Sequence, residues 1–257
     1  MRRVIREPLS EEAQARLCGR TLQIAQAAWA PTNTTIAARV NARKAEAKRL
    51  WDHEKTKAFD EIDQVLKKMA PGNGFCMYCE HSEGTDIEHF WPKEKYPGRA
   101  YMWENYLWAC SKCNTHFKGT QFPRDSSGLP LLVNPADPDD DPRNHLEFTP
   151  THGKLVARTT KGAETIRVLG FDRRGNLDNA RVDAWKSLQS NLIRYGACCD
   201  RDDHLLALHL QRTICRHPFA SALHALFDLL DTARGSLLIE SECRAVIKKY
   251  PEIRHWP

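Results

Sequence analysis

The chain has 257 residues, 41% of them hydrophobic and 28% charged, a globular composition that excludes a disordered or fibrous protein and allows one or two domains with a real core. No stretch approaches the roughly 18 apolar residues that cross a bilayer, and the opening MRRVIREPLSEE has no apolar secretory segment, so a soluble, cytoplasmic protein without a membrane partner is expected. The net charge of +5 is mild but uneven: seven Lys/Arg face three acids from Arg39 to Lys57, and six face two from Phe90 to Arg124.

In chain order, Ser10 followed by Glu11 and Glu12 starts a first helix, along which Leu17, Ile24, Ala25 and Ala28 recur at helical spacing, and Pro31 ends it. A second, longer helix is expected from about Thr35 to Met69, with Phe59, Ile62, Leu66 and Met69 on one face and Pro71-Gly72-Asn73-Gly74 as its stop. Residues 75–120 are aromatic, poorly periodic and too short to build a large apolar core, so another organiser is needed. A Pro/Asp-rich connection runs from Phe122 to Asp141, and its acidic run, Asp139 to Asp141, reads as a solvated loop. A hairpin is expected between Leu146 and Val156 around His152-Gly153. Three or four helices complete the chain, with patterning over 179–193, 201–214 and 219–231; His204, His209, His217 and His224 read as ordinary helix histidines. The expected division is a helical region 1–70, a zinc-bound core 71–125, a connecting loop and hairpin 126–160, and a helical region 161–257.

Nine cysteines without an export signal argue against a disulfide framework. Four of them form two C-x-x-C pairs, Cys76/Cys79 and Cys110/Cys113. Two such knuckles can close a tetrahedral four-thiolate zinc site, in preference to two unrelated pairs or a redox motif. With no open position, that zinc is structural, and it supplies the missing organiser. Reactive groups must then lie elsewhere: Glu88-His89 stands between the knuckles, Asn105 follows, and Asn114 comes directly after the last cysteine.

An acid beside a histidine, a central asparagine and a metal-type ligand at a helix start, bracketed by two knuckles, resemble the HNH endonuclease motif. The resemblance implies a mainly α protein with a small α+β centre, a ββα-metal (HNH) unit organised by the zinc site and flanked by helices. It implies that His89 is the general base, Glu88 the acidic metal ligand, Asn105 the residue that orients the base, and Asn114 the final motif position, with His116 its rival. An asparagine oxygen tilts the catalytic cation toward Mg2+ or Mn2+. The reaction implied is in-line hydrolysis of DNA phosphodiesters, leaving 5′-phosphate and 3′-hydroxyl ends. Lys93, Lys112, Lys118 and Arg124 are candidates for strand binding, and Trp91, Trp103 and Trp108 for packing around the zinc core rather than base stacking. The strings CMYCE, DIEHFWPK, WENYLWACSKCNTHFKG, PLLVNPADPDDDP and ETIRVLGFDRRGNLDNARVDAW resemble, over roughly residues 70–190, the PtuB-type nucleases of Septu anti-phage defence systems and their retron-linked relatives. That family has the same Glu before the histidine and Asn after the last cysteine, and it works with an ABC/SMC-like ATPase of PtuA type. The alternatives are a stand-alone restriction-type or mobile-element HNH nuclease, and a zinc-organised DNA-binding or adaptor module without turnover.

Overall fold

The computed structural model describes residues 1–54 and 57–256, the side chains of Lys57 and Asn73 apart. Helix α1 (Glu11–Ala27) begins where the Ser10 side chain accepts from the Ala13 N–H, with two carboxylates in its first turn. The long helix expected from 35 to 69 is two helices, α2 (Ile36–Asp52) and α3 (Lys57–Met69). Residues 55 and 56 between them, Lys55 of the basic run included, lie outside the described residues. Just past α2, Glu54 is drawn back onto α1, where Arg16 and Arg20 reach it at 2.8 and 2.7 Å. The periodicity of α3 is real: Phe59, Ile62, Leu66 and Met69 are all buried.

The centre is a short antiparallel pair, β1 (Asp86–His89) and β2 (Tyr106–Ala109), with Asp86 opposite Ala109 and His89 opposite Tyr106. A π-helix, Lys112–Lys118, follows within three residues and carries Cys113. A second hairpin pairs β3 (Leu146–Thr149) with β4 (Lys154–Ala157). Its turn needs glycine: Gly153 has φ 66°, and a Cβ there would lie 1.8 Å from the Asp178 carbonyl oxygen. The acidic run before this hairpin is not merely solvated. Asp140 accepts from His145 at 2.6 Å and pairs with Lys161, and Asp141 pairs with Arg143 at 2.9 Å.

Six helices follow among the described residues: α4 (Thr160–Leu169), α5 (Gly175–Cys199), α6 (His204–Cys215), α7 (Ala220–Leu229), α8 (Ala233–Leu238) and α9 (Ser241–Lys249). The last two are short, so their apolar pattern never completes three turns. The long α5 packs against α6, α7 and α9. One continuous apolar core runs from Leu17 and Ile62 through Tyr78, Tyr101 and Leu107 to Leu188 and Leu223. The cysteine-rich segment therefore shares the helices' core in addition to its own cysteine cluster. Glu80, buried beside the first knuckle, fastens it to the C-terminal helices: its carboxylate accepts from the N–H of Ser221 at 3.3 Å and from that residue's hydroxyl, and its carbonyl accepts from Phe219 N–H at 2.9 Å. A carboxylate at that position also suits the N-terminal end of α7. No helix among the described residues is long and apolar enough to cross a membrane.

Candidate metal centre and active site

The two knuckles converge. The four Sγ atoms of Cys76, Cys79, Cys110 and Cys113 are buried and lie within 4.8 Å of one another. Sulfurs at the corners of a tetrahedron with Zn–S bonds of about 2.3 Å stand about 3.8 Å apart. Cys79 and Cys110 are 3.9 Å apart, far beyond a disulfide bond and close to that spacing. Four buried sulfurs at this spacing form a donor set that suits a metal ion such as zinc. Arg174, buried just before α5, donates from Nη1 to the Cys113 sulfur at 3.2 Å. A zinc held by four thiolates has a net charge of 2−, and this guanidinium offsets part of it.

A cleft of about 720 Å³ opens along β1, walled by α2, α3 and the start of the π-helix. Glu88, His89, Lys93 and Asn114 line it; so do Trp51 of α2 and Asp60 and Asp63 of α3. His89 is buried, and its Nε2 lies 3.0 Å from the Ala100 carbonyl oxygen. A carbonyl only accepts, so the ring proton sits on Nε2 and the Nδ1 lone pair is free. Burial, reinforced by Lys93, pushes the imidazole pKa down to about 3, so the ring is neutral at pH 7. Trp51 packs edge-on against it at 4.3 Å between ring centroids, fixing its plane.

Asn105 is buried and acts on the loop after β1. Its Oδ1 accepts from Trp91 N–H at 2.7 Å, and its Nδ2 donates to the carbonyls of Trp91 and Arg99 at 3.0 and 2.8 Å. Its bonds therefore tie together the loop that also supplies the Ala100 carbonyl, and none of them goes to the His89 ring. Glu88 is buried, with the Lys118 ammonium against its Oε1, yet that oxygen accepts no well-directed hydrogen bond. Burial pushes its carboxyl pKa up, and Lys118 pulls it back. The Tyr78 hydroxyl, which acts on Glu88 electrostatically, is likewise buried without a partner.

The expected strand-binding residues separate. Lys93 lines the cleft, 3.1 Å from Glu94. Lys112 and Arg124 are exposed outside the cleft lining, Arg124 beside the Tyr96 ring. Lys118 is corrected: it is 1% exposed, bonded to Glu88 and, at 2.9 Å, to the His89 carbonyl, so it cannot reach a strand. Asn114 lines the cleft, whereas His116 is exposed against Phe117 and does not. Trp108 is buried, and Trp91 and Trp103 pack half-buried against the core. Sequence reasoning missed Trp51, Asp60, Asp63 and Arg174. The i,i+3 spacing of the two aspartates beside Phe59 and Ile62 was the available signal for them.

Two curated proteins share sequence with the chain. Septu protein PtuB of Bacillus mycoides (strain KBAB4) is 31% identical over 166 residues, 52% of this chain and 54% of that protein. Septu protein PtuB of Bacillus thuringiensis is 34% identical over 122 residues, 46% of this chain and 44% of that protein. The chain is a relative of PtuB. It spans about half the length of the curated PtuB proteins it matches. No family model matches, and no solved structure matches significantly.

Proposed function

We propose that this PtuB relative is a metal-dependent HNH nuclease that hydrolyses DNA phosphodiesters as the effector of a Septu-type anti-phage complex, alongside an ABC/SMC-like ATPase. The reading takes residues 71–125 as the nuclease core, with β1, β2 and the π-helix as its ββα-metal unit. The observation that carries it is the shared cleft: a neutral histidine with a free Nδ1, a buried carboxylate whose charge Lys118 holds in place, and a half-buried asparagine.

Among the described residues, the four cysteines form the only close group of three or more His, Cys, Asp or Glu ligands. Glu88 and Asn114 would therefore hold a catalytic cation between them, leaving its other positions to water and phosphate, a habit of Mg2+ and Mn2+. When bound, such a cation stabilises charge on the phosphate and the leaving 3′ oxygen. His89 Nδ1 takes the proton of the attacking water, while the Ala100 carbonyl keeps Nε2 protonated and the ring in register. An entering phosphate places negative charge beside the imidazole and moves its basicity back toward neutral. Asn105 holds the loop that makes this possible, and Lys93 is the cleft's ammonium for the strand.

The test is nicking of supercoiled plasmid by the purified chain, with and without an ATPase partner, in Mg2+ or Mn2+. Glu88→Gln and Asn114→Ala should each weaken the Mn2+ dependence, shifting half-saturation upward by about tenfold or more. Unchanged metal dependence in both variants would remove these residues from the cation site.

A further inference from the structure

Two concavities of this molecule carry opposite charge. Among the described residues the cleft along β1 presents six carboxylates and one ammonium, a balance that suits a cation and leaves a strand's phosphates to that cation and Lys93. A second concavity, of about 410 Å³, opens where the C-terminal end of α6 meets the turn before the first knuckle. Arg2, Lys68, Arg212 and Arg216 line it, and no described acid does.

Lys68 is committed to Glu7 at 2.7 Å. The side chains of Arg2, Arg212 and Arg216 make no ion pair or hydrogen bond with any described residue. The Nε of Arg2 is shut off from water without a partner. Glu80 attracts Arg2 from a distance, but its oxygens already serve the Met1 amine, the Arg2 N–H and Ser221. Free carbonyls at the end of α6 favour cations there, which helps gather the guanidiniums despite their repulsion. Three uncommitted planar forks around one hollow fit phosphate oxygens. Arg212 and Arg216 stand one helical turn apart, with stems about 5–6 Å from each other, close to the separation of neighbouring phosphates on a strand. A lone phosphate would use only part of that span.

We propose that this concavity seats the phosphate backbone of a nucleic-acid strand, with Arg212 and Arg216 on adjacent phosphates and Arg2 beneath them. The site is independent of the nuclease reading, since binding there needs no catalytic metal.

The experiment is binding of a fluorescent oligonucleotide, single- and double-stranded, to the full chain by anisotropy across a salt series. Magnesium and manganese are omitted and no chelator is added, so the cysteine-bound metal is kept and cleavage is not required. Arg212→Ala/Arg216→Ala should lower the steepness of log K against log salt by about 1.4–1.8, and weaken binding about tenfold or more at low salt. The equally exposed pair Arg194→Ala/Arg201→Ala, which removes the same charge outside the concavity, should change the slope far less. All variants should melt with the wild type, since the substituted side chains are exposed. Equal slopes for the two double variants would overturn the proposal. Loss of ATP or inorganic phosphate binding in Arg212→Ala/Arg216→Ala, with oligonucleotide binding intact, would overturn the nucleic-acid assignment in favour of a free phosphate ligand.

Discussion

Lys118→Met isolates the least expected feature of the cleft. The ammonium and the Glu88 carboxylate are 1% and 3% exposed, so neither is screened by water. Taking away one partner of such a buried pair leaves an uncompensated charge and costs about 3–5 kcal/mol. The hydrogen bond from Lys118 to the His89 carbonyl, 2.9 Å long, is lost in the same step. In a chain of this size each kcal/mol moves the melting midpoint by about 2–4 °C, so a fall of about 6–20 °C is expected. Thermal unfolding followed by circular dichroism reads it. Lys118→Met/Glu88→Gln, which removes both charges, should recover at least half of the loss, because a neutral amide is far cheaper to bury than an unpaired carboxylate. Oligonucleotide binding by folded Lys118→Met should match the wild type. An unchanged midpoint combined with weakened binding would refute this reasoning and return Lys118 to the strand-contacting surface.

Cys113→Ser should release the metal of the four-cysteine cluster, reducing zinc per chain by elemental analysis from about one toward zero and exposing the shared core to proteolysis. Arg174→Met keeps all four ligands but removes the N–H at 3.2 Å from the Cys113 sulfur, so zinc loss to a chelator should become about 10–100-fold easier without loss of the fold. Gly153→Ala puts a methyl 1.8 Å from a carbonyl oxygen at a left-handed φ, and urea unfolding should show a loss of about 2–4 kcal/mol.

The cysteines and the β1 residues were legible because their chemistry is local. C-x-x-C spacing forces two sulfurs onto one turn, and the convergence of the two pairs follows once β1 and β2 form a hairpin between them. The periodic faces of α1 and α3 were legible for the same reason, since Leu17, Ile24, Ile62 and Leu66 repeat within one element. What pairing does to charge was not. Lys118 reads as one more basic residue until the π-helix turns it inward onto Glu88, thirty residues earlier in the chain and beyond any local rule. Asn105 offers no hint in sequence that it works through the Trp91 and Arg99 backbone. The break between α2 and α3 was hidden because the 35–69 stretch contains neither proline nor glycine, and Glu54 finds its partners on α1. Arg212 and Arg216 escaped notice because the third guanidinium of their concavity comes from residue 2.

The central claim is that His89 Nδ1 takes a proton from water in a metal-dependent strand cut. It is tested most directly by the initial rate of plasmid nicking in Mn2+ for wild type and His89→Ala, prepared in parallel and matched for zinc content and melting midpoint. The expected result is nicking by the wild type that falls by about a hundredfold or more in the variant. Equal rates for the two proteins would contradict it.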